Sequence, residues 1–191
     1  MVLAAADPRS FQILVQILRG GGVAIAPGDT MYGLIGLAPE AAARLRRVKG
    51  REEEKPFLQL IGDASWIGRI SDVPLPPRLG RFWPGPLTIV FPAHAGGTAA
   101  FRVPDNRFLR DLLHALDQPL YSTSVNRAGS PPLKAVQDMR RELEGDVDAI
   151  YDAGDQAPGE PSTLVDITRR PFVILRQGAV HLLQEDLLES S

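Results

Sequence analysis

Three short polar triplets, Lys49-Gly50-Arg51, Ser124-Val125-Asn126 and Arg176-Gln177-Gly178, each follow an apolar run. In α/β proteins such positions present groups to phosphate or carboxylate ligands. Lysine supplies a mobile point charge and arginine a bidentate fork, and both suit a phosphate. Lys49 and Arg51 also stand at a predicted helix C-terminus, where cations are favoured anyway, so a capping role stays open. Lys55 follows Glu52-Glu53-Glu54, which reads as a solvated face, with a magnesium ligand as the alternative. Ser122, Thr123, Ser124 and Asn126 crowd the end of a strand, where hydroxyls and an amide can bind a nucleotide or cap a helix. The loop Pro27-Gly28-Asp29-Thr30-Met31-Tyr32 can offer backbone N–H groups and a hydroxyl to a ligand, or serve as a tight turn. Arg102, inside an apolar strand, needs either a structural or a substrate carboxylate, because an unpaired buried cation is costly. Ser162-Thr163 repeats the hydroxyl theme. Taken in order, these groups point to an enzyme handling a nucleotide and a small anion.

The elements that must position them alternate between helical and extended patterns. Asp7-Pro8 opens a helix carrying Phe11, Leu14, Val15 and Leu18 at helical spacing, and Gly20-Gly21-Gly22 stops it. Val23–Ala26 reads as a buried strand, residues 27–36 as a turn, and Pro39 as the opening of a helix ending at Lys49-Gly50. Strands are expected at 57–61, 87–91, 98–103, 119–123, 147–151, 164–167 and 172–175. Helices are expected at 64–70, after the prolines at 74–77, from an Asp105 cap through Leu116, and at 135–143. The Gly/Pro/Asp-rich stretch 152–161 reads as a mobile loop. Several strands follow one another directly, which favours a mixed sheet.

The 191 residues suit one domain, with a core over about 7–180 and a tail over about 181–191. No cysteine is present, which excludes disulfides, zinc–thiolate sites and cysteine nucleophiles. The formal charge of −2 gives no overall pull toward nucleic acid, so an RNA site would have to be a local basic patch. No apolar run reaches membrane-spanning length and no secretory signal opens the chain, so a cytoplasmic location without membrane attachment is expected. His94, His114 and His181 are scattered, and no nucleophile triad, Walker loop or dinucleotide fingerprint occurs.

The order PGDTMYGL, KGR, FWPGPLT, AFRVP, STSVN, PSTLVD and RQG, spanning Gly22 to Gly178, resembles the YrdC-like threonylcarbamoyl-AMP synthases. The resemblance implies an open, twisted α/β fold with a mixed sheet, flanking helices and a concave basic cavity. It implies a nucleotidyltransferase joining L-threonine, bicarbonate and ATP into threonylcarbamoyl-AMP and pyrophosphate, with Mg²⁺ accompanying ATP. The product would feed tRNA threonylcarbamoyladenosine formation through downstream transferase proteins, and tRNA or structured RNA is a possible partner. By resemblance, Thr30, Leu60, Arg102, Ser122 and Ser162 would hold threonine. Lys49, Arg51, Lys55, Thr98, Ser124, Asn126, Pro132 and Arg176 would hold ATP, and Lys49 and Arg51 would be catalytic. Two departures stand out: Gly28 and Glu52 occupy positions where the family usually has threonine and proline. The alternative reading is a catalytically silent YrdC/YciO-type protein that binds double-stranded RNA. A carbamoyl-adenylate reaction using carbamoyl phosphate is a third.

Overall fold

The computed structural model describes residues 1–50, 56–156 and 159–188. Its centre is a ten-stranded mixed sheet in the order β1-β8-β2-β3-β7-β4-β6-β5-β9-β10. The strands are β1 (Val2–Ala4), β2 (Val23–Ala26), β3 (Gly33–Leu37), β4 (Leu58–Leu60), β5 (Leu87–Pro92), β6 (Thr98–Arg102), β7 (Leu120–Ser124), β8 (Ala149–Asp152), β9 (Thr163–Asp166) and β10 (Val173–Arg176). Helices α1 (Ser10–Arg19), α2 (Ala42–Lys49), α3 (Pro77–Gly80), α4 (Arg107–Leu116) and α5 (Val136–Leu143) flank it, with 3₁₀ turns at Ala64–Arg69 and Gln184–Leu187. Parallel pairs β1·β8, β8·β2, β4·β6 and β5·β9 mix with antiparallel ones, as consecutive strands without intervening helices require.

Alternation along the strands decides which half of the sheet is covered. On β2, Ala24 and Ala26 join the core beneath α1 and α4, while Val23 and Ile25 face Leu45 and Val48 of α2 and Met139 and Leu143 of α5. That half is therefore sealed on both faces. In the other half, Ile89, Phe91 and Phe101 pack with Trp66, Leu79 and Trp83, and Phe91 lies 6.4 Å from Trp83 and 6.2 Å from Phe101 by ring centroids. The opposite side chains of those strands line an open concavity bordered by Leu109 of α4.

Several expectations need correction. Residues 33–37, read as part of a turn, form β3, paired with β2 and β7. The N-cap of α4 is Asn106, whose Oδ1 accepts from Leu109 N at 3.0 Å, rather than Asp105. The helix after Pro39 begins at Ala42. β1 carries no pattern of its own and forms by parallel pairing with β8.

Candidate active site

One cavity of about 590 Å³ lies on the open half of the sheet, and its floor follows from strand register. Ser122, Leu58, Ala100, Val90 and Asp166 are cross-strand neighbours in one row over β7, β4, β6, β5 and β9. Leu60 and Arg102 pair in the next row. Period-two alternation thus gathers residues distant in sequence onto one surface. Thr30, Leu60, Thr98, Arg102, Ser122, Ser124, Pro132, Ser162 and Arg176 all line it. Lys49 and Asn126 sit behind Ser124 rather than on the wall. Arg51 and Lys55, with Glu52, lie outside the described residues.

Lys49 of KGR meets Ser124 and Asn126 of SVN in space. α2 ends because Gly50 takes the left-handed conformation at φ 61°, which leaves Lys49 as the last helical residue. Lys49 is buried, and its Nζ donates to Ser124 O at 2.8 Å, Asn126 Oδ1 at 2.5 Å and Ser124 Oγ at 3.3 Å. Ser124 Oγ also donates to Asn126 Oδ1 at 2.6 Å, and Asn126 Nδ2 donates to Ser130 O at 2.5 Å. The ammonium is therefore held behind the cavity wall, with oxygens of Ser124 and Asn126 among its acceptors.

Across the cavity stands Arg102. Its side chain and that of Asp29 are each only 7% exposed, and Nη2 donates to Asp29 Oδ1 at 2.9 Å. The structural carboxylate left open by the sequence is therefore Asp29. Arg102 Nε is buried without an acceptor, and the residue borders the cavity with only its Nη2 bound by Asp29. Burial lowers the Arg102 pKa from its ordinary value, Asp29 opposes that shift, and the charge of Arg176 adds to it. Arg176 Nε and Nη2 donate to Ser162 O at 3.1 and 2.9 Å, and Nη2 reaches Ser162 Oγ at 3.2 Å. Ser162 Oγ is bound to Thr88 Oγ1 at 2.8 Å.

Two glycines allow backbone segments to meet at this rim. A Cβ on Gly178 would stand 2.2 Å from Pro161 O, and one on Gly28 would stand 2.4 Å from Met31 O. The glycine of RQG is thus needed for close approach to the Ser162 strand. The described part of the 152–161 segment makes hydrogen bonds to the 28–32 loop. Tyr32 Oη donates to Gly154 O at 2.8 Å and accepts from Ala153 N at 3.0 Å. Gln156 Nε2 donates to Gly28 O at 3.0 Å, and Gly159 N to Thr30 O at 3.0 Å.

Sequence reasoning missed Asp29, Thr88, Tyr32 and Gln156 as members of this network. Asp29 and Tyr32 lie in the PGDTMYGL motif and Thr88 in FWPGPLT, whereas Gln156 lies in no motif. For Mg²⁺, no group of three potential metal ligands occurs among the described residues. Asp29 is engaged by Arg102 and the Asp105 N–H, and Asp166 by Thr168, so neither offers a ready ligand set.

Comparison with known proteins accords with this geometry. The profile of the Sua5/YciO/YrdC family, described as "Telomere recombination", matches residues 16–178. The chain belongs to this family. Among its relatives, the threonylcarbamoyl-AMP synthase of Thiobacillus denitrificans is 37% identical over 167 residues, covering 78% of this chain and 87% of that protein. The synthase of Pyrococcus abyssi is 29% identical, covering 90% of this chain, which spans 54% of the relative's length. The P. abyssi Sua5 structure in complex with L-threonine superposes with a TM-score of 0.84 at 26% identity, over 93% of this chain and 57% of that one. Escherichia coli YciO gives a TM-score of 0.80 at 26% identity, covering 93% of this chain and 94% of its own. Within the family fold, the open half of the sheet is where the family motifs of this chain converge. No helix among the described residues is long and apolar enough to cross a membrane.

Proposed function

We propose that this chain is a threonylcarbamoyl-AMP synthase, a nucleotidyltransferase that condenses L-threonine, bicarbonate and ATP. The observation that carries the reading is the buried Arg102, anchored by Asp29 at one nitrogen, on a cavity wall shared with Thr30, Ser122 and Ser162. An arginine so placed suits a carboxylate, and the hydroxyls around it suit a hydroxylated amino acid. Relatives named threonylcarbamoyl-AMP synthase, and the L-threonine complex of one of them, support the same choice over a silent RNA-binding role.

In this reading the threonine amine and bicarbonate give a carbamate with loss of water. A carbamate oxygen then attacks the α-phosphorus of ATP in line, and pyrophosphate leaves. No covalent nucleophile is required of the protein; it positions the reactants and offsets charge. Arg102 would hold the threonine carboxylate, with Thr30, Leu60, Ser122 and Ser162 shaping that end. Thr98, Ser124, Asn126, Pro132, Arg176 and Lys55 would hold the nucleotide. Lys49 would leave Asn126 and Ser124 to meet phosphate charge, joined by Arg51. Mg²⁺ would arrive on the ATP phosphates rather than in a protein-built site. The product would pass to a tRNA-modifying transferase in the cytoplasm.

The test is pyrophosphate release from ATP and bicarbonate, with and without L-threonine. Release that depends on threonine and is lost in Lys49→Ala and Arg51→Ala is the expected result. A folded protein that releases none, yet binds structured RNA in a salt-sensitive way, would replace this reading with the RNA-binding one. Release driven by carbamoyl phosphate and indifferent to threonine would replace it with the carbamoyl-adenylate reaction.

A further inference from the structure

We propose that Asp29 is a positioning residue, fixing the guanidinium of Arg102 so that its unused donors serve the substrate carboxylate. This rests on the synthase reading above. Asp29 lies in the loop after β2, between Gly28 and Thr30, which both line the cavity, but Asp29 itself does not. Its side chain is turned behind the wall. Oδ1 accepts from Arg102 Nη2 at 2.9 Å, and Oδ2 accepts from Asp105 N at 3.1 Å. One carboxylate thereby ties the 27–32 loop, β6 and the approach to α4 into a single unit.

The placement solves an electrostatic problem. A cation buried this deeply needs a counter-charge, and a counter-charge on the cavity side would repel an incoming carboxylate. Behind the wall, Asp29 compensates Arg102 while the cavity side keeps its positive character. Arg102 borders the cavity and Asp29 engages only its Nη2, so a ligand oxygen would meet the part of the guanidinium that Asp29 leaves unbound. Arg176 acts electrostatically on the same guanidinium with the opposite sign to Asp29. Without Asp29, that repulsion and the missing anchor both favour rotation away from the substrate-binding pose.

The experiment measures binding of L-threonine, L-threoninamide and ATP to wild type, Asp29→Asn and Asp29→Glu. L-Threoninamide keeps the hydroxyl and amine but lacks the carboxylate that Arg102 recognises. Misplacing a recognition group by about 1 Å costs on the order of 100-fold, so Asp29→Asn is expected to weaken L-threonine binding by about 10–100-fold. Threoninamide and ATP binding should stay within about twofold of wild type, so the preference for threonine over its amide collapses. Asp29→Glu keeps the charge but displaces the fork, and is expected to lose the same preference; it carries the test should Asp29→Asn fail to fold. In an Arg102→Ala background, Asp29→Asn should cause no further loss of threonine binding.

An unchanged preference for threonine over threoninamide in either folded Asp29 variant overturns the assignment. Equal losses for threonine, its amide and ATP also overturn it, since that pattern marks a general structural defect. Wild-type protein that binds no threonine overturns the synthase reading and this assignment together, which separates that failure from the first.

Discussion

Replacing Gly178 with alanine tests whether the backbone contact at the cavity rim sets the position of Ser162. The new methyl would stand 2.2 Å from Pro161 O and 2.7 Å from the Ser162 carbonyl carbon. Ordinary carbon contacts are about 3.5–4.0 Å, so the overlap exceeds roughly 1 Å. Both opposing atoms are backbone, and Pro161 O is also held by Ala179 N at 3.0 Å, so no flexible side chain can yield. Overpacking of this kind costs about 1–3 kcal/mol. At about 2–4 °C per kcal/mol for a chain of this size, Tm should fall by about 2–12 °C. If Ser162 moves with Pro161 by about 1 Å, its bonds to Thr88 and Arg176 loosen, and kcat/KM for L-threonine should fall by up to about 100-fold. Thermal unfolding and pyrophosphate release, with threonine and ATP varied separately, provide the readouts. Gly68→Ala is the control, because a Cβ there meets no atom within 4 Å. A Gly178→Ala protein with unchanged Tm and threonine KM would refute the argument.

Other expectations follow from single contacts. Lys49→Met keeps most of the stem while removing the ammonium, and turnover should drop about 100–1,000-fold with the far-UV circular dichroism spectrum unchanged. Tyr32→Phe removes the hydroxyl that binds both Ala153 N and Gly154 O, and should cost about 1–3 kcal/mol in denaturant unfolding, with faster amide exchange at Ala153. Asp186, 1% exposed, pairs with the half-exposed Arg81 at 2.7 Å and accepts from Leu183 N at 2.9 Å; Asp186→Ala should lower stability by about 1–3 kcal/mol, read by thermal melting, without changing threonine KM. Burial pushes the Asp148 carboxyl up, but bonds from Arg44 and Val23 N and nearby positive charge outweigh it and hold its pKa below the usual value. Its stabilising contribution is therefore present above the unfolded-state pKa near 3.9 and lost as pH falls through the lower folded value. The side chain is 37% exposed, so solvent screening limits the effect to under about 1 kcal/mol, and Asp148→Asn should flatten the acid limb of the stability–pH curve by that amount.

What the sequence revealed, and what it concealed, has physical causes. Helices α1 and α4 were legible because Leu14, Leu18, Leu109, Leu112 and Leu116 repeat at helical spacing, a signal each segment carries alone. β3 was hidden because Gly33 and Gly36 read as turn residues. The structure uses Gly36 for clearance instead, since a Cβ there would meet Ala41 Cβ at 2.4 Å. Asp105 and Asn106 are equally good caps by type. Their division of labour depends on Asp29, 76 residues away, which accepts from the Asp105 N–H. The same distance problem concealed the partner of Arg102, because charge demand predicts an acid but not which one. Several residues lining the cavity, Thr88 of FWPGPLT among them, lie in the ordered motifs, whereas Gln156, which binds Gly28 O, carried no local signal.

The alternation on β4, β5, β6 and β9 separates two kinds of inheritance within one set of strands. Ile89, Phe91, Phe101 and Val165 belong to the core, while Leu58, Val90, Ala100 and Leu164 border the cavity. A combinatorial library confined to the latter positions would vary ligand choice while leaving the opposite face intact. A single-residue insertion within any of these strands would exchange the two roles at once. Drift toward new substrates is therefore open by substitution in the strands and by length change in the loops, and closed by length change in the strands.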